Sequence, residues 1–219
     1  MDYNLKVEPG PYMCTGHAPT IIISGAEQGS GDTVTTVNAP QARSQARISS
    51  AGTLSIEIAG PPGLGTRGEH RVAKVIRACL QREGVAVSVR SGVDADGVDR
   101  WIDTPGGSYP LQVTSVPRDP GLWQQASRGS GTTVAGMSGA VEWIEDSIQH
   151  KVTRTTSADR ACMILALDAL HAGPLAEGAV VASYLSRYGS PITRFGFGSV
   201  WLVGATVDQC VRLGAGVLY

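Results

Sequence analysis

At 219 residues, 42% hydrophobic and 17% charged, the chain has the size and composition of one ordinary globular domain with an appended N-terminal segment. A net charge of −1 excludes global attraction to nucleic acid, so any such contact has to come from a local basic patch. No apolar run reaches membrane-spanning length and no signal-like apolar core opens the chain, which predicts a protein without a membrane partner.

Cys14, Cys79, Cys162 and Cys210 are scattered, with no CxxC pair, and Cys79 and Cys162 stand in apolar runs. Buried, reduced thiols and a cytoplasmic location follow as the expectation. Residues 1–50 show no sustained period and read as an irregular arm or accessory segment, with one short strand at Ile21–Ile23, a loop-like Gly25–Asp32 and a polar Gln41–Ser50. Cys14-Thr-Gly-His17 offers two metal ligands but no second pair at a suitable spacing, which argues against zinc.

Residues 51–219 read as an α/β domain. Leu54–Ala59 alternates as a strand, Gly60-Pro-Pro-Gly-Leu-Gly65 is a turn, and Arg67–Arg82 carries Val72, Val75, Ile76, Cys79 and Leu80 at helical spacing. Val85–Arg90 predicts a strand. Arg100–Asp103 and Tyr109–Val116 predict a hairpin closed at Pro105-Gly106-Gly107. Pro117–Gly136 is rich in Ser, Gly and Thr and reads as a long loop around Trp123. A helix over Ser138–Arg154, a strand buried on both faces at Met163–Asp168, a helix at Leu175–Tyr188, a strand at Ser199–Val203 and an edge strand at Gln209–Leu213 complete the pattern. The predicted architecture is a mixed central sheet flanked by helices.

Two motifs compete for function. Gly60–Arg67 follows a strand and opens a helix, as a phosphate-binding loop does, but Thr66 stands where the phosphate-contacting Lys belongs. Met163–Asp168 imitates the apolar strand and Asp that hold magnesium in such proteins. The simpler reading of Thr66-x-x-Glu69 is a helix capping box.

The second motif is centred on the hairpin. Glu69 on a helix, Asp99 opening a strand, and Gln112-Val-Thr114 thirteen positions further resembles the PD-(D/E)XK nuclease superfamily, with Lys151 on a later helix, then Ala158-Asp159 and the apolar Met163–Asp168 strand. The resemblance covers about residues 54–205 and implies a restriction-endonuclease-like fold acting on nucleic acid, DNA rather than RNA, in bacterial defence or DNA processing. It implies Asp99 as the main ligand of Mg²⁺ or Mn²⁺, Glu69 as a direct or water-mediated ligand, and Gln112 as a neutral oxygen where the family often has a carboxylate. In such a site the cation neutralises the attacked phosphate and lowers the pKa of a bound water.

The Lys expected at position 114 is Thr, which weakens the catalytic reading more than the fold, and Lys151 is the cation that could replace it. Asp99, Gln112, Glu69 and Lys151 are the catalytic candidates, Asp99, Glu69 and Gln112 the metal candidates. The alternative is a catalytically inactive descendant of the fold that binds protein or nucleic acid. Asp103, beside the turn, reads as a turn residue. Trp101, Trp123 and Trp143 read as core or rim residues.

Overall fold

Two sheets, rather than one, form from this pattern in the computed structural model, which describes residues 22–28, 32–39, 42–59, 65–92 and 97–214, with side chains from Ser44 onward outside 65–67. Strands β1 (Ile22–Gln28), β2 (Asp32–Ala39), β3 (Ala42–Ile48) and β4 (Thr53–Ala59) form an antiparallel meander. Where one short strand, a loop-like Gly25–Asp32 and a polar Gln41–Ser50 are expected, residues 22–48 hold three strands. In β3, Ser44, Ala46 and Ile48 face inward and Gln45 and Arg47 outward. The period-two pattern is present but written in small residues, which carry little hydrophobic signal.

Helix α1 (Gly65–Arg82) follows, and its Val72, Val75, Ile76, Cys79 and Leu80 form the buried stripe. Strands β5 (Ser88–Ser91), β6 (Arg100–Thr104) and β7 (Gly107–Ser115) form consecutive hairpins. Thr104 pairs with Gly107 across Pro105-Gly106, and Gly107 takes the φ of +143° that a side chain would resist.

The segment 117–136 is not a loop. Asp119 caps α2 (Pro120–Ser127), its carboxylate accepting from the backbone N–H of Gly121 and Leu122 at 2.8 and 3.2 Å, with Pro120 at the first helical position. Strand β8 (Gly131–Gly136) then pairs with β4 and extends the meander to five strands. Gly131 lets β8 approach α2, because a Cβ there would lie 2.5 Å from the Leu122 carbonyl oxygen.

Helices α3 (Met137–Val152) and α4 (Ser157–Cys162) lead into β9 (Ile164–Asp168). The predicted helix at 175–188 divides into a 3-10 helix (Leu170–Ala176) and α5 (Gly178–Tyr188). After α6 (Pro191–Phe195), β10 (Ser199–Val203) and β11 (Cys210–Arg212) finish a six-stranded mixed sheet in the order β11-β10-β9-β7-β6-β5. Its central strands β7, β9 and β10 run parallel. Their runs are apolar because both faces are covered.

On one face Ile164, Ala166, Leu111, Ile102, Trp201 and Val203 pack against α1. On the other, Leu165, Leu167, Val200 and Leu202 pack with α3, α5 and the inward residues of β3 and β4. No helix among the described residues is long and apolar enough to cross a membrane. Cys79 is buried as expected, but Cys162 ends α4 and is exposed, and neither they nor Cys210 forms a disulfide.

Candidate nucleic-acid interface

Side-chain direction in the β6–β7 hairpin decides which candidates meet. Leu111 and Val113 pack on the α1 side. Gln112 and Thr114, alternating with them, point to the other face, in register with Leu165 and Leu167. Arg100 pairs with Leu111 across the hairpin and therefore shares the α1 face, where the Glu69 carboxylate lies 3.6 Å from its Nη2. Glu69 is thus separated from Gln112 by the thickness of the sheet. The expected convergence of Asp99, Glu69 and Gln112 does not occur, because α1 packs on the face opposite Gln112.

Asp99 sits where the chain enters β6. Its N–H donates to the Leu111 carbonyl at 3.1 Å and its Oδ2 accepts from the Val113 N–H at 2.6 Å. The carboxylate thereby continues the ladder where no backbone carbonyl is in place, which is a structural role. Gln112 donates from Nε2 to the Gly97 carbonyl at 2.6 Å, leaving its Oε1 as the acceptor.

Lys151 approaches this group from α3. The Ser147 hydroxyl, one turn earlier, lies 3.4 Å from the Ser115 carbonyl oxygen. Helix α3 ends near the start of β9, so it runs against β7, and a further turn of about 6 Å carries Lys151 back to the level of Val113. Burial lowers the Lys151 pKa, the positive field of Arg154 and Arg118 lowers it further, and Asp99 works the other way. His150 is likewise lowered, by burial and then by Arg118, Arg154 and Lys151. Arg118, His150, Lys151 and Arg154 are therefore close enough to feel one another's charge, and Lys151 also feels Asp99.

Sequence reading selected Lys151 and missed its neighbours. His150 and Arg154 flank it at i, i+4 spacing on the same helical end, a signal that was available. Arg118 comes from the β7–α2 connection and had no local signal. The Asp159 of the nuclease-like pattern serves α4 instead: it closes a capping box with Thr156, which donates its N–H to Oδ2 at 3.2 Å. The phosphate-loop candidate at 60–64, the Thr66 side chain and the Cys14/His17 pair lie outside the described residues.

Asp168, the acid of the apolar strand, is ion-paired with Arg71 of α1, which also donates to the Gly204 carbonyl at 2.5 Å. His171 is buried with its Nδ1 2.8 Å from the Ser44 hydroxyl and has its pKa lowered by burial. It ties the 3-10 helix Leu170–Ala176 to β3 and is buried away from any substrate.

The donor set does not fit the divalent cation that the resemblance implies. Asp99 is already bonded to Val113 and faces a lysine, and Asp103, the other hairpin carboxylate on its face, is held by Arg90. Among the described residues no group of three or more His, Cys, Asp or Glu side chains is arranged to hold a metal ion. Comparison with protein-family models, with curated proteins and with solved structures finds no match to this chain.

Proposed function

We propose that the chain is a DNA-binding module on a restriction-endonuclease-like fold, the non-catalytic branch of the resemblance, and that it holds the phosphate backbone without cleaving it. The observation that carries this reading is the cluster of Arg118, His150, Lys151 and Arg154 around the end of α3, with Lys151 near Asp99 of the β6–β7 hairpin. A near-neutral protein that gathers cations around an open strand end has the local patch that its net charge requires for phosphate binding. The fold assignment is supported by a helix before the hairpin and a helix after it, with Asp99 at the entry to β6 and Gln112 on β7. Hydrolysis is disfavoured by Glu69, which is committed to Arg100 on the far face.

The test is fluorescence anisotropy with a labelled oligonucleotide across a salt series. Three to four phosphate contacts give a slope of log K against log salt of about −3. Arg118 and Arg154 are exposed, so replacing both by Ala leaves the fold intact and reduces the slope by about 2. Binding that is indifferent to salt and to both substitutions overturns the reading. DNA cleavage on adding magnesium, abolished by Asp99→Asn, restores the catalytic reading instead.

A further inference from the structure

Trp101 stands apart from the other tryptophans. Trp123 and Trp143 pack on one apolar core and Trp201 is buried in the other, whereas Trp101 belongs to neither. It is half-buried on β6, two residues from Asp99 and hence on the same face, about 7 Å along the strand. Its cross-strand partner is Pro110. The Arg90 guanidinium lies over the ring at 5.7 Å from its centroid. Arg90 is itself held by Asp103, from Nε to Oδ2 at 2.5 Å and from Nη2 to Oδ1 at 2.8 Å, and Ser108 donates to the same Oδ1.

Asp103, read from sequence as a turn residue, thus anchors a cation against an aromatic ring. Among the described helices α1 packs over β5–β7 on the opposite face, and α3 meets this face beyond Trp101, at Ser115 and beside Asp99. An indole, a flat guanidinium and a proline ring remain on an open sheet face. Asp99, whose charge reaches Lys151, stands two residues back along the strand.

That juxtaposition suits a nucleic acid whose bases are unpaired. A duplex hides its base faces in the stack, whereas a single strand can lay one base on an aromatic or guanidinium plane while its phosphates meet the cations. Resting on the DNA-binding reading above, we propose that the open face of β5–β7 stacks an unpaired base on Trp101 and Arg90, which makes single-stranded DNA the preferred ligand of the Arg118–His150–Lys151–Arg154 cluster.

The experiment compares three labelled probes of equal length: an oligodeoxythymidylate, the same strand made abasic, and a duplex. Wild type should bind the thymidylate about tenfold more tightly than the abasic strand. Trp101→Ala should lose that advantage and bind both strands alike, and Trp101→Phe should retain most of it. Tryptophan fluorescence should be quenched by the thymidylate in wild type and not in Trp101→Phe, in which Trp123, Trp143 and Trp201 still report. The abasic comparison stands even if Trp101→Ala fails to fold, because it removes the base instead of the ring. Equal affinity of wild type for thymidylate and abasic strands overturns the stacking proposal and leaves the phosphate-binding reading in place. Absence of binding to all three probes overturns both.

Discussion

Glu69 and Asp99 lie on opposite faces of the same hairpin, and their surroundings differ in kind. Glu69 is on the α1 face, among Leu111, Ile102 and Val72, where Arg100 takes its charge. Asp99 is on the face that α1 leaves open, where it closes the ladder to Val113 and meets Lys151 of α3. The first face is an apolar core bordered by ion pairs, Glu69–Arg100 and Arg71–Asp168 among them. The second is a polar surface with Trp101, Gln112 and Thr114 exposed in part. A carboxylate in the first place is consumed by structure, and one in the second remains within reach of a ligand. The number of acidic residues in a motif therefore says less than the side of the sheet on which each stands.

The contrast is sharpest in stability. Leu111 and Gln112 are neighbours on β7, yet Leu111→Ala empties a fully buried site and should cost about 3 kcal/mol in urea unfolding. Gln112→Ala removes a partly exposed amide and should cost less than about 1 kcal/mol. Similar costs for both would mean that the open face is packed after all.

The next effect concerns Lys151, whose ammonium is disfavoured by burial and by two neighbouring arginines. Its folded pKa is lowered, so the cost of holding the charge is fully present below that value and disappears as pH rises through the ordinary lysine range. Lys151→Met should remove the cost and raise the melting temperature by a few degrees, of the order that 1 kcal/mol produces in a domain of this size. DNA affinity should fall about tenfold at the same time. A lower melting temperature would show that attraction to Asp99 outweighs burial.

A smaller effect belongs to the Trp101 platform. Arg90 first, then Ser108, hold the Asp103 carboxyl well below its ordinary value of 3.8, down to about 2. Because that pKa is depressed, the contact is intact above the ordinary value and is lost as pH falls through about 2. Trp101 fluorescence, taken as the difference between wild type and Trp101→Phe, should stay constant on acidification to pH 4 and change below it. A change centred near pH 6 would place another group in control of the ring. The smallest expected effect is a null one. Millimolar manganese should leave the melting temperature unchanged, since a bound cation would raise it by RT ln(1 + [L]/Kd). A rise abolished by both Asp99→Asn and Glu69→Gln would show the two carboxylates meeting and break the contrast between the faces.

Much of the architecture was legible because its signals are local. The stripe of Val72, Val75, Ile76, Cys79 and Leu80 marks α1 without reference to anything else in the chain. The apolar runs of β9 and β10, and the Pro105-Gly106-Gly107 turn, are equally self-contained. Strand β3 was missed because Ser44 and Ala46 become core residues only when the other sheet covers them. Asp119-Pro120 was a readable helix start that the Ser- and Gly-rich composition around it masked. Strand β8 had no local guarantee, since its partner β4 lies far back along the chain, 79 positions at the Ser55–Val134 pair.

By itself, then, the sequence determined the α/β class, the amphipathic helices, the hairpin, and the presence of Asp99, Gln112 and Lys151 as chemically capable residues. The period of a strand assigns alternate residues to two faces but does not say what covers each face. Only the tertiary structure decided that. By packing α1 against Leu111 and Val113, it sent Glu69 to Arg100. By bringing the end of α3 to the hairpin, it gathered Arg118, His150 and Arg154 around Lys151 and set Lys151 near Asp99. Both outcomes depend on contacts between residues distant in sequence, and a local pattern carries no information about which distant surface will arrive.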